Sequence, residues 1–128
     1  MKIASIVTII CFFAMSFVWD NTPADEIIRA FKSSNTSEIS PYFDNLIDFT
    51  LPAKDEIKNI SKNQAAVILK SFYSENNIAG FELTSQREAG STMYIAGKIT
   101  GKLKSYNITI LIKNKEGKYV ITSIRING

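Results

Sequence analysis

Histidine is absent from this 128-residue chain, and cysteine occurs once, at Cys11. Imidazole acid–base chemistry is thereby excluded, together with intrachain disulfides and zinc sites of the usual Cys/His kind. Proline and glycine are scarce, at three and six residues. With 45% hydrophobic and 21% charged residues, that scarcity excludes disorder and collagen-like repeats and predicts one globular domain. No glycine-rich loop stands between a strand and a helix, and no acid-rich loop has calcium-site spacing. Neither a metal nor a cofactor is expected.

What the chain does have, at its start, is a long apolar run. "MKIASIVTIICFFAMSFVWDN" carries one lysine, then apolar residues from Ile3 to Val18, then polar ones. A short basic start before an apolar centre is the pattern of a secretory signal. The run falls short of the roughly 20 apolar residues that span a bilayer, so an uncleaved anchor is the weaker reading. Ala14 and Ser16 offer the small residues that precede cleavage, with Thr22 and Ala24 as a later alternative. The expectation is a signal peptide over residues 1–20, cut between about 16 and 24, and a single domain over 21–128, exported to the periplasm or beyond. Contact with a membrane is then transient, through the signal alone. Cys11 follows two isoleucines rather than a small residue, and Phe12 and Phe13 continue the run past it, so it reads as apolar filler rather than a lipid-anchor cysteine. Its removal would leave a mature chain without a thiol nucleophile.

The net charge of +3 is unevenly spread. Acids outnumber bases from Asp20 to Ile60, whereas from Lys98 onward Lys98, Lys102, Lys104, Lys113, Lys115, Lys118 and Arg125 face only Glu116. Such a basic half could meet an anionic partner. Most of these lysines flank turns, where they keep strand ends soluble, and they lack interleaved aromatics, so nucleic acid is not expected as a partner.

Along the chain, "TPADEIIRAFKSSN" opens with Thr22 as a cap candidate, Pro23 at the first helical position and Asp25 and Glu26 in the first turn. A short second helix is predicted through Ile39, Tyr42 and Phe43. "NLIDFTLP" alternates as a half-buried strand, with Ile47, Phe49 and Leu51 on one side and Asp48 and Thr50 on the other. "KDEIKNI" is a weaker strand. "SKNQAAVILKSFYSENN" places Ala65, Ile68, Leu69, Phe72 and Tyr73 at helical spacing. From Ala79 the period switches to two, predicting strands in "GFELTSQRE", "TMYIAGKIT", "LKSYNITILIK" and "YVITSIRI". Their connections are too short for parallel crossovers, so these four form an antiparallel meander, and helices set against it make an α+β domain.

That order, with "DEIIRAFKSSN" running into "YF" and the ending "LIKNKEGKYVITSIRI", resembles a family of small exported Bacteroidetes-type proteins described as domain of unknown function 4783. The resemblance covers about Asp25 to Ile126 and includes no catalytic motif. It implies a cone-shaped, nuclear-transport-factor-2-like (cystatin-like) α+β fold, N-terminal helices packed on a curved antiparallel sheet. That superfamily hosts both enzymes and binding modules, so the fold leaves function open.

Its enzymes, of isomerase and cyclase type, place Asp, His, Tyr or Arg inside the cone. Asp44 and Asp48 are the acidic candidates here, with Tyr42 and Tyr73 nearby. Asp48 alternates with an apolar set that has the better claim to burial, so it is expected to face solvent, and Asp44 to serve a turn. Asp25–Glu26 and Asp55–Glu56 sit at element starts, where acids are ordinary. Phe31, Tyr42, Phe43, Phe72, Tyr73 and Tyr106 are candidates to line a pocket for a small apolar ligand, or simply to fill the core. Asn35, Asn59 and Asn107 lie in Asn-x-Ser/Thr triplets, which matter only on a glycosylating secretory route.

The last hairpin offers a different site. Tyr106, Ile108, Ile110 and Ile112 share one face of their strand, and Val120, Ile124 and Ile126 the matching face of the next. Tyr94, Leu111, Tyr119, Ile121 and Arg125 are therefore predicted on the outer face, an apolar patch suited to a homodimer or another partner. A charge at Tyr119 or Ile121 is expected to break association and spare the fold. The leading reading is a non-enzymatic ligand-binding or protein-interaction module, against a cone-fold enzyme acting on an apolar metabolite or a subunit docking to an envelope assembly.

Overall fold

The computed structural model describes residues 23–128. The expected signal segment 1–20, with Cys11, Ala14 and Ser16, and Thr22 lie outside the described residues; Ala24, of the later cleavage alternative, is among them. Helix α1 (Pro23–Lys32) has Asp25 and Glu26 in its first turn and Arg29 and Lys32 in its last, charges that complement the helix dipole at both ends. It buries Ala24, Ile27, Ile28 and Phe31 along one stripe. Helix α2 (Thr36–Ile39) is a single turn, started by the Asn35 side chain accepting from the Ser37 N–H, and a 3-10 turn (Ser40–Tyr42) follows. The predicted second helix therefore ends earlier than expected, and Phe43 opens a strand instead.

Strands β1 (Phe43–Thr50) and β2 (Ile57–Ser61) form a hairpin that leads into helix α3 (Lys62–Asn76). Ser61 caps α3 by accepting from the Gln64 N–H at 3.2 Å, and Asn77 stops it in the left-handed conformation at φ 50°. Between the caps Ala65, Leu69, Phe72 and Tyr73 are buried at helical spacing, as the pattern predicts.

Strands β3 (Phe81–Ala89), β4 (Thr92–Thr100), β5 (Ser105–Lys115) and β6 (Lys118–Asn127) are the antiparallel meander. The β5–β6 turn is two residues, Glu116 and Gly117, both at positive φ, which is the backbone twist a tight hairpin requires. The sheet order is β2-β1-β6-β5-β4-β3. β1 lies parallel to β6, so the sheet is mixed rather than wholly antiparallel. The long excursion through β2, α3 and the meander supplies the crossover that a parallel neighbour needs.

The helices cover one face, and the core is an isoleucine-rich layer between them and the sheet. Met93, Ile95 and Ile99 of β4 meet Ile108, Ile110 and Ile112 of β5 there, with Ile124 and Ile126 of β6. Phe31 of α1 packs on the Phe81 ring, their centroids 5.7 Å apart.

One irregularity reorders a predicted face. Between β5 and β6 the register runs Leu111 to Ser123 and then Ile112 to Ile121, leaving Thr122 as an extra residue in β6. This is a β-bulge, and its hydroxyl donates to the Leu111 carbonyl at 3.3 Å. Upstream of it the alternation of β6 is inverted. Ile121 is paired with inward Ile112 and is fully buried, Tyr119 packs against the core, and Val120 pairs with outward Lys113. The expectation that Tyr119 and Ile121 face outward is wrong, because an unbroken period of two cannot register an inserted residue, whereas Val120 is buried as expected of a core residue. Downstream of the bulge Arg125 is exposed and pairs with Thr109, on the outer face as expected.

Candidate outer-face interaction site

The helix-free face of the sheet gathers side chains from five strands. Across it runs one row of paired residues, Arg87 of β3, Tyr94 of β4, Leu111 of β5, Ser123 of β6 and Asp48 of β1. A second row holds Ser85, Ala96, Thr109, Arg125 and Thr50. A bulge at Thr84, whose hydroxyl donates to the Ala96 carbonyl at 3.0 Å, brings Glu82, Ser85 and Arg87 to this same side. Tyr94 leaves 45% of its surface in water. Beside it Ser85, Arg87 and Ala96 line a shallow depression of about 210 Å³. Of the five residues predicted for this face, Tyr94, Leu111 and Arg125 are there; the bulge removes Tyr119 and Ile121.

The acidic candidates are engaged locally. Asp48 accepts from the Asn59 N–H at 2.9 Å, and Asn59 stands at φ 54° in the neighbouring strand, so the carboxylate steadies an irregular step in β2. Asp44 accepts from Lys115 Nζ and from the Asn45 N–H. The Lys115 hydrogen bond holds its carboxyl below the ordinary carboxylate range. Ile47 and Phe49, flanking Asp48, are buried in the core, so the strand turns both carboxylates away from the space between helices and sheet.

The predicted pocket aromatics go to different places. Phe31 and Phe43 are core, and Phe72 meets Tyr106 edge-on at 5.1 Å. Tyr42 is half-buried at an open surface groove of about 580 Å³ shared with Glu26, Arg29 and Pro41. Tyr73 is buried, and its hydroxyl has no hydrogen-bond partner among the described residues. Burial pushes that phenol well above its ordinary range.

Sequence reasoning placed a turn at Gly101–Lys102 but ended it too early, reading Leu103 and Lys104 as the start of β5. The strand begins at Ser105, and Leu103 is 95% exposed between Lys102 and Lys104. A lone leucine between lysines beside a glycine was the available signal. Among the described residues no group of three His, Cys, Asp or Glu could hold a metal ion, and no helix is long and apolar enough to cross a membrane.

Comparison with known proteins gives the same fold. The family described as Domain of unknown function (DUF4783) matches residues 24–127. A DUF4783 family protein from Bacteroides uniformis is similar, at 23% identity and a TM-score of 0.74, over 84% of this chain and 96% of that one. Another from Bacteroides ovatus matches at 22% identity and a TM-score of 0.74, over 80% and 91%. An NTF2-like protein of unknown function from Cytophaga hutchinsonii matches at 13% identity and a TM-score of 0.57, over 81% and 84%. No curated protein matches this chain.

Proposed function

This chain belongs to the DUF4783 family, and from that premise we propose that it is an exported, non-enzymatic interaction module whose outer sheet face pairs with a second copy of itself. The observation that carries the reading is the composition of the row Arg87–Tyr94–Leu111–Ser123–Asp48. A cation stands at one end, a carboxylate at the other, and an aliphatic side chain at the middle.

A twofold axis running along the strands through Leu111 reverses the row in the facing copy. Leu111 then meets Leu111, Tyr94 meets Ser123, and Arg87 meets Asp48 at both ends. A single row thus satisfies the self-complementarity that a twofold interface demands. Packed sheets cross by about 30°, which carries Lys113 of the next row away from its own copy. Neither Arg87 nor Asp48 has an ion-pair partner among the described residues, and the Asp48 carboxylate, which accepts one hydrogen bond from the Asn59 N–H, has acceptor capacity left for an arginine. The non-catalytic part of the reading is supported by the engaged, outward positions of Asp44 and Asp48 and by the chain's lack of histidine.

Sedimentation equilibrium tests the proposal. The protein is expected to dimerise at roughly tens of micromolar, and Leu111→Glu to abolish this without changing the circular dichroism spectrum. Arg87→Glu and Asp48→Lys should each weaken the dimer, and the double exchange should restore it. A monomeric wild-type protein, or a double exchange no better than either single one, would overturn the pairing.

A further inference from the structure

Where α3 ends, the β4–β5 turn is docked against it. The Lys102 N–H donates to the Asn76 carbonyl at 3.1 Å, and the Gly101 N–H to the Lys104 carbonyl at 2.9 Å. A Cβ at Gly101 would come within 2.7 Å of the Asn76 carbonyl oxygen, so only glycine allows this approach. Beneath the turn the Tyr106 hydroxyl donates to Asn76 Oδ1 at 2.9 Å, and Asn76 Nδ2 donates to the Phe72 carbonyl at 2.9 Å. These bonds and the edge contact with Phe72 hold the Tyr106 ring in place as the floor of a pocket of about 290 Å³. Lys104 Nζ lies 4.9 Å from the centre of that ring.

Three features of this pocket are unexplained by folding. Lys102 and Lys104 have no carboxylate partner among the described residues, although Glu75 stands at the same rim. Leu103, between them, is almost wholly in water, where a turn ordinarily places a polar residue. The volume lies just under the usual range for a ligand site, with an aromatic floor at Tyr106 and a mostly polar rim of Glu75, Asn76, Asn77, Lys102 and Lys104, which suits a ligand with a charged head better than a wholly apolar one.

We propose that this pocket binds a small amphiphile with an anionic head, the head held by Lys102 and Lys104 and the aliphatic tail covered between Tyr106 and Leu103. The two ammonium groups give the head its binding partners. Covering Leu103 removes apolar surface that the free protein leaves in water. The site is separate from the outer face, so its failure and the failure of the dimer are distinguishable.

Binding is measured by amide chemical shifts on titration with octanoate, octyl phosphate and octanol. Octanoate is expected to shift Lys104, Tyr106 and Asn76 saturably, and octanol to bind about tenfold or more weakly for want of the charge. The double variant Lys102→Gln/Lys104→Gln should lose that preference, and Leu103→Ser should weaken all the ligands, each with the unligated spectrum of the remaining residues unchanged. Either order of octanoate and octyl phosphate supports an anionic amphiphile; the tighter one tells a free acid from a phosphorylated head. Equal binding of octanol, retention of the preference in the double variant, absence of saturable shifts, or shifts centred on Phe31 and Ile110 would each overturn the proposal.

Discussion

Tyr73 places a ring in the core at the cost of a hydroxyl that bonds to nothing among the described residues. A buried polar group without a partner forfeits its hydration and gains nothing in return. Tyr73→Phe is therefore expected to raise stability by about 1 kcal/mol in urea denaturation. The sign with pH follows from the raised phenol: below its ordinary value of 10.0 both states are neutral and nothing is lost, and above it the unfolded chain ionises first. Stability of the wild type should thus fall as pH rises past that value, and less so in the phenylalanine variant. Asp44 has the opposite sign. Its carboxyl is held below the ordinary 3.8 chiefly by Lys115, so its contribution is complete above that pH and disappears as the pH falls through the lower folded value. The pair is open enough to solvent to limit its contribution to under about 1 kcal/mol. Asp44→Asn should flatten the low-pH end of an acid titration of stability and change little near neutrality.

Among the elements, β3 and β6 show how local geometry sets what a strand can present. The Phe81 ring crosses over Gly97, where a Cβ would lie 2.6 Å from the Glu82 carbonyl oxygen and 2.7 Å from the ring. Gly97→Ala must push β3 away from β4, with an expected loss of about 1–3 kcal/mol by thermal denaturation. In β6 the bulge at Thr122 sorts two neighbouring stretches onto opposite faces. Ile121→Ala should accordingly cost about 2–5 kcal/mol, as a fully buried isoleucine does. Arg125→Ala, on the exposed side, should stay within about 0.5 kcal/mol of wild type. If Ile121→Ala proved as mild as Arg125→Ala, the inverted face upstream of the bulge would be refuted.

For the whole molecule, one sheet with helices on a single side leaves an open face. Association across that face through Arg87 and Asp48 should weaken as salt is raised, because a charge pair at the rim is screened over roughly 8 Å at physiological ionic strength. Sedimentation at low and high salt measures this directly. A salt-independent dimer would mean that Tyr94 and Leu111 alone hold it.

The local structure was legible in the residues themselves. Pro23 with Asp25 and Glu26 marked the start of α1, Ser61 and Asn77 bracketed α3, and alternation along "TMYIAGKIT" and "YNITILIK" placed Ile95, Ile99, Ile108 and Ile110 inside. Those signals are short-range, since a cap or a period concerns residues a few positions apart. Tertiary structure alone decided which neighbour β6 takes on its far side, where an extra residue enters the ladder, and which turn docks on the end of α3. Val120 and Ile121 are both β-branched, apolar and buried, and alternation alone would turn only one of them toward the helices; the pairing of Ile112 with Ile121 makes it Ile121. The choice depends on partners distant in sequence, and so the composition of the outer face, and the pocket under Leu103, emerge only when the strands are assembled.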